Sequence, residues 1–474
     1  QYRIVEKENG MHQILVQDFG RITIPGAPSL PQKTFSIALP PGARDISVEV
    51  TGGEIDEISG TYRILPAPMV LPKGKVDKKT LEKAKKEFEE RYAKIYSSNN
   101  PFPPIPGKKV GEGNLRKWRY VKVSFCPFVY YPKSGKLFAY SEALITITYT
   151  LPKKGTDEWE KVQKTLFDNC MEDVAKKMFI NYEEAKEWYI PQTKKKPTSN
   201  DHPLKTLNLE KASKFPYLVV IPYDYYANAV APLMYWKTSI GDTAGYISAA
   251  WIDSNYTGTD LAEKIRNFLK ENYQALSFEY VLLVGDLNDI PMRYCWPDSS
   301  DHSYDPDMFP IPTDFYYADL TGNWDSDGDG YFGEVGQDSV DFAADVYVGR
   351  IPWSDTSIVR KICEKIVRFE QNTDTTYKKN ALLLGAITFY DPNFNDEAYI
   401  MEEIKDTFLL PDSFTFTRLY EKGGIHPSPN PCEDSLTQLN TRSYWGSHAY
   451  GYVNWSAHGG PYGAYRTIWV EDYN

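Results

Sequence analysis

Tyr280-Val-Leu-Leu-Val284, closed by Gly285-Asp286, is the stretch on which the fold of this chain turns. It is short, apolar and ended by turn-forming residues, which reads as a strand. Runs of the same kind recur at Tyr217-Leu-Val-Val-Ile221, Tyr246-Ile-Ser-Ala-Ala-Trp-Ile252, Val346-Tyr-Val348, Ala381-Leu-Leu-Leu384 and Tyr452-Val-Asn-Trp455. Amphipathic stretches lie between them, from Asp260 to Tyr273, Asp355 to Glu370 and Asp396 to Leu409. Strands that alternate with helices imply an α/β fold, a mostly parallel sheet covered on both faces. Chemistry in such sheets gathers at the C-terminal ends of strands. Asp286 sits at one such end and His458 at another.

The last of these strands runs Tyr452-Val-Asn-Trp-Ser-Ala-His458-Gly459-Gly460. An imidazole at the tip of a buried strand can act as a general base. Glycines beside it bring backbone N–H groups close to a substrate carbonyl. A lone histidine after a strand is more often a hydrogen-bonded structural residue, and the Gly-Gly pair is what favours the catalytic reading. His12, His202, His302, His426 and His448 lack such a setting. His302, with Asp298, Asp301 and Asp305 nearby, reads as part of an acidic loop rather than a second metal site. No cysteine or serine in a comparable setting follows before Asn474. The expectation is therefore a chain that ends, by truncation or processing, ahead of its nucleophile.

At 474 residues the chain is long enough for two or three domains with separate cores. A net charge of −11 disfavours a nucleic-acid partner. No run of 18 apolar residues appears, so no membrane span is expected. No signal peptide is visible, and Gln1 opens into strand-like sequence as a mature N-terminus would. The five cysteines are scattered and odd in number, which argues against a disulfide scaffold. Cys126 and Cys363 fall on strand and helix patterns and are expected to be buried. Cys432 closes the turn-rich Pro427-Ser-Pro-Asn-Pro-Cys432.

Residues 1–190 have a different texture. Apolar alternation, as in Gln13-Ile-Leu-Val-Gln17 and Leu144-Ile-Thr-Ile-Thr-Tyr149, is punctuated by Pro and Gly and predicts a β-rich domain. A Lys/Glu-rich helix is expected from Lys78 to about Tyr96, with mostly solvated charges. A second helical stretch is expected from about Asp157 to Trp188. Residues 191–213 form the linker, opening on Pro191-Gln-Thr-Lys-Lys-Lys-Pro-Thr-Ser-Asn-Asp-His-Pro203. An α/β subdomain is then expected over 214–372 and the N-terminal part of a catalytic subdomain over 373–474.

Asp325-Ser-Asp327-Gly-Asp329-Gly330-Tyr331-Phe-Gly-Glu334 spaces carboxylates at alternate positions around glycines. Such a loop converges several oxygens on one hard cation, and calcium is expected. Asp325, Asp327, Asp329, the Tyr331 carbonyl and Glu334 are the candidate ligands. Asp338 is an alternative to Glu334, because Gly336 stands where an EF-hand would place its closing Glu. A bare acidic turn is less favoured, since three aspartates so spaced repel one another without a cation.

Asp341-Phe-Ala-Ala-Asp345-Val-Tyr-Val-Gly349-Arg350-Ile-Pro352, Val284-Gly-Asp286 and Ala457-His458-Gly459 together resemble the gingipain-type cysteine peptidases, secreted bacterial relatives of caspases. Gly26-Ala-Pro-Ser-Leu-Pro31 and Ala38-Leu-Pro-Pro-Gly-Ala43 are similar to their propeptide. The resemblance implies a caspase-like sheet with flanking helices, preceded by a β-rich pro-domain. It also implies a His-activated thiolate that cleaves peptide bonds through an acyl-enzyme, in a zymogen or processed form, at the cell surface or outside the cell. His458 matches the family's histidine and Gly459 part of its oxyanion hole. The family's cysteine would lie beyond Asn474 or on a second chain. Asp391, the first carboxylate after the strand ending near Ile387, is the candidate third member. Asp396 is the candidate base of an S1 pocket. A calcium-stabilised surface or adhesion module without activity, and a sortase-like transpeptidase, are the alternatives.

Overall fold

The computed structural model describes residues 2–7, 10–69, 78–192, 203–206, 214–298, 302, 310–389, 395–460, 463–466 and 468. The chain forms two compact units, Gln1–Lys365 and Ile366–Asn474.

The first unit begins with antiparallel sheets. One is four-stranded, in the order Gly20–Arg21, Pro31–Leu39, Trp118–Phe125, Gly107–Leu115. Strand Arg44–Gly52 pairs with Ala143–Thr150. Their alternation turns Ile46, Val48, Val50, Ile145 and Ile147 onto Val121 and Val123. The helix Lys78–Tyr96 falls where the sequence placed it. It is not wholly a solvated rod, because Tyr92 and Tyr96 stack at 4.3 Å and the Tyr96 hydroxyl donates to the Ile64 carbonyl at 2.6 Å. The helical stretch expected over Asp157–Trp188 is instead broken into Asp157–Thr165, Glu172–Met178, Tyr182–Ala185 and a 3₁₀ turn Lys186–Tyr189. Asp168 Oδ1 accepts from the Cys170 N–H, and Met171 takes a left-handed φ of 59°. That side-chain bond competes with the helical ladder and ends it.

The same unit continues as a parallel sheet in the order Ala244–Ser248, Tyr217–Ile221, Tyr280–Val284, Tyr347–Ile351. The run expected over Tyr246–Ile252 is strand only to Ser248; from Ala249 the backbone is helical to Asn255. Helix Leu261–Asn272 is capped by Asp260, whose Oδ1 accepts from the Glu263 N–H at 2.8 Å. Its Ala262, Ile265, Phe268 and Leu269 bury against Leu218, Val220, Ile247, Val281 and Leu283. In the family-like segment, Arg350 makes a two-pronged contact with Asp314 at 2.6 and 2.7 Å and donates to the carbonyls of Gly285 and Ile290. It thereby fixes the turn that follows Tyr280–Val284. Asp341 and Asp345 are buried, and burial pushes their carboxyls up to about 6 and about 7.

The second unit holds another parallel sheet, in the order Asp434–Ser435, Thr415–Tyr420, Asn380–Gly385, Tyr452–Ser456. The parallel α/β arrangement is as expected, but it is built as two four-stranded sheets. Ala381 and Leu383 pack with Ala398, Met401 and Tyr420, while Leu382 and Leu384 pack with Leu419 and Leu436. Burial on both faces explains why the run 381–384 shows no alternation. The helix expected over 396–409 is Ala398–Ile404, continued by a π turn Lys405–Leu409. No helix among the described residues is long and apolar enough to cross a membrane.

Candidate active site

The strand Tyr452–Ser456 delivers His458 to the C-terminal edge of the second sheet. The Ala386 N–H donates to the Ser456 carbonyl at 3.0 Å, so the ladder runs one step past Gly385. That register brings the chain after Ala386 alongside the chain before His458. The His458 Nε2 lies 2.6 Å from the Thr388 carbonyl. A carbonyl can only accept, so Nε2 carries the proton and the lone pair of the neutral ring is at Nδ1. The residue itself is exposed.

Glu397 stands behind this arrangement. It is 5% exposed, and its Oε1 accepts from the Thr388 hydroxyl at 2.8 Å while Oε2 accepts from the Ser456 hydroxyl at 2.6 Å. The carboxylate therefore ties together the two segments that hold His458: the residue whose carbonyl receives Nε2, and the strand end two positions upstream. Sequence reasoning passed over it. It directly follows Asp396, and nothing local distinguishes the two.

Asp391 lies outside the described residues. Asp396 is buried; its Oδ2 accepts from Ser428 at 2.6 Å and Asn430 at 3.2 Å, and its Oδ1 from the Ala398 N–H at 3.0 Å. Gly459 is exposed, pairs with Ala464, and has open space where a Cβ would stand. At Gly460 a Cβ would come within 2.8 Å of the Tyr465 ring. Beside this hairpin runs a cleft of about 340 Å³ lined by Leu384, Leu436, Thr441, Trp455, Ala457 and Tyr465. Asp286, at the other strand end, accepts from the N–H groups of Asn288 and Asp289 and forms a turn.

The cysteines divide into four of one kind and one of another. Burial pushes Cys126 and Cys363 up to about 12 and Cys170 and Cys295 up to about 11, the opposite of what a thiolate nucleophile needs. Cys432 packs beside Ala381, Leu383, Met401 and Tyr420.

The acidic loop sorts its carboxylates into two groups. Oxygens of Asp325, Asp327 and Asp338 come within 4.8 Å of one another, as do the donor atoms of His302, Asp329 and Glu334. His302 Nε2 is 2.6 Å from Glu334 Oε1, so this histidine belongs with the acidic loop in space. Asp338 thus takes the place given to Asp329 and Glu334 in the first group. Positive φ at Gly328 and Gly330 turns the loop. Asp325 Oδ1 is buried and has no hydrogen-bond partner among the described residues. A buried carboxylate oxygen without a partner, on a residue clustered with two further carboxylates, is a donor set that suits a hard cation.

Residues 211–473 match the family model described as peptidase family C25, and residues 1–190 match the C25 propeptide model. The chain is 25% identical to gingipain R1 of Porphyromonas gingivalis over 384 residues, 79% of this chain and 31% of that protein. It is 24% identical to gingipain R2 of Porphyromonas gingivalis over 381 residues, 80% of this chain and 43% of that protein. The chain therefore spans less than half the length of these curated relatives. Among solved structures, the Arg-specific cysteine proteinase gingipain R aligns with a TM-score of 0.37 at 20% identity, covering 53% of this chain and 48% of that one. The complex of Porphyromonas gingivalis RgpB pro- and mature domains aligns with a TM-score of 0.28 at 22% identity, covering 39% and 87%.

Proposed function

The chain belongs to peptidase family C25, and on that premise we propose that it is the propeptide-bearing portion of a secreted or surface-held bacterial cysteine endopeptidase with His458 as general base. The observation that carries this reading is the seat of His458 at the C-terminal edge of a parallel sheet, where its Nε2 donates to the Thr388 carbonyl. In the proposed reaction Nδ1 takes the proton of a cysteine thiol, and the thiolate adds to the scissile carbonyl. The Gly459 N–H faces the developing oxyanion. The imidazolium then gives its proton to the leaving amine, and water, deprotonated by the same nitrogen, hydrolyses the thioester. Glu397 holds Thr388 and Ser456, and so the ring, through the two hydroxyls. Cys126 and Cys363 are core residues, the partly buried Cys170 and Cys295 have thiols that burial pushes up, and Cys432 packs in an apolar cluster. The thiol is accordingly assigned to the remaining polypeptide or to a second chain.

Residues 1–190 are assigned as the propeptide that keeps the enzyme latent, removed by cleavage within 191–213. A peptide or protein is the substrate. The complete, matured protein should hydrolyse peptide substrates and lose that activity on thiol alkylation. Hydrolysis that survives alkylation would remove the cysteine mechanism.

Asp325, Asp327 and Asp338 would hold calcium, which supplies the charge that lets three carboxylates share one loop. Chelation should lower the melting temperature of the full chain by about 5 °C or more, and calcium should restore it. Asp325→Asn should melt lower and respond less to both additions. Identical melting curves with chelator and with calcium would rule the site out.

A further inference from the structure

The hairpin Gly107–Leu115 and Trp118–Phe125 reaches from the N-terminal sheets onto the α/β half of the first unit. Its tip residue, Arg116, is 4% exposed and sits at a left-handed φ of 53°. Few non-glycine residues adopt that conformation without support. Here the support is the Arg116 N–H, which donates to Asp345 Oδ1 at 2.8 Å. The guanidinium is received by backbone. Nη1 donates to the carbonyls of Phe278 at 2.7 Å and Asp345 at 2.8 Å, and Nη2 to the carbonyl of Tyr273 at 3.3 Å. The Tyr273 ring lies beneath, its centroid 4.9 Å away. Nε donates to Asp168 Oδ2 at 2.7 Å, and Asp168 belongs to the N-terminal region itself.

The neighbouring contacts are equally close. A Cβ at Gly113 would stand 2.5 Å from Asp341 Oδ2 and 2.6 Å from its Cβ, so only glycine lets the hairpin approach. The Asn114 N–H donates to Asp341 Oδ2 at 2.9 Å, and Lys122 Nζ donates to the Asp341 carbonyl at 2.8 Å. Ala343 is embedded among Leu115, Trp118 and Tyr120.

We propose that Tyr273, Phe278 and Asp345 form a guanidinium-selective docking pocket, and that Arg116 in that pocket anchors the N-terminal region after the linker is cut. The proposal rests on the reading of residues 1–190 as a separable propeptide. The chemistry selects arginine. Three carbonyls and a carboxylate converge on the planar fork from different sides, and a lysine ammonium, a compact point charge on a shorter side chain, meets them one or two at a time. Removing the fork leaves Asp168 buried beside three carbonyls with their donor gone, which is the costly way to break a buried ion pair.

The test uses the full chain, folded first, with a specific protease site inserted within residues 193–202. After cutting, the wild-type fragments should co-elute on gel filtration. Arg116→Ala should speed their dissociation about 100-fold or more and Arg116→Lys about tenfold. Gly113→Ala, which removes no charge, should also speed it, and serves with Asp168→Asn if uncut Arg116→Ala does not fold. Wild-type fragments that separate at once, or an Arg116 or Gly113 variant that dissociates at the wild-type rate, would overturn the proposal. Peptidase activity of the matured enzyme, measured with and without the cut fragment, reads the propeptide assignment separately. A fragment that binds without inhibiting would sink that assignment and leave the pocket standing.

Discussion

His458→Ala in the complete, matured protein is expected to lower kcat/KM for peptide hydrolysis by about 10⁴-fold. Alanine cannot take a thiol proton, so the cysteine stays protonated at neutral pH, and no group remains to protonate the leaving amine. The residue is exposed at the edge of the sheet, and its Nε2 bonds a backbone carbonyl, that of Thr388. Folding should therefore change little, and the melting temperature should stay within about 2 °C of wild type. Activity within tenfold of wild type would show that another residue is the base. A large fall in melting temperature would make the loss of activity a folding effect.

Glu397→Gln is expected to lower kcat about 100-fold with KM nearly unchanged. Glu397 is a positioning residue: its two oxygens receive the hydroxyls of Thr388 and Ser456, which frame His458. Glutamine keeps the shape, but its amide nitrogen cannot accept, so one of the two hydroxyls loses its acceptor. A purely structural Glu397 would lower the melting temperature and leave kcat of the folded enzyme in place. That result would remove it from the site.

Much of this site was legible locally. The run ending in Ala457-His458-Gly459-Gly460 marked a histidine at a strand tip, since a strand tip and glycine carry their meaning within a few residues. Glu397 was not legible, because its role depends on which strands are neighbours. Only the parallel pairing of Asn380–Gly385 with Tyr452–Ser456 brings Thr388 and Ser456 to the same carboxylate, across 59 residues of chain between Ser456 and Glu397. The acidic loop behaved likewise. Its spacing grouped Asp325 with Asp327, but Asp338, twelve residues from Ser326, closes the group and accepts from that residue's N–H. His302 draws Asp329 and Glu334 into a second group.

What the sequence determined by itself was therefore what short-range pattern encodes. Continuous apolar runs marked the strands buried on two faces, alternation marked the β-rich region, and glycine spacing marked the loop and the histidine tip. The tertiary structure decided everything that depends on strand order. Two sheets stand where one was expected, because hydrophobic patterning says that a strand is buried and leaves open which strand it pairs with. The same indifference hid Arg116. On the sequence it is one more basic residue at a turn, and only the docking of the hairpin supplies the three carbonyls that make it an anchor.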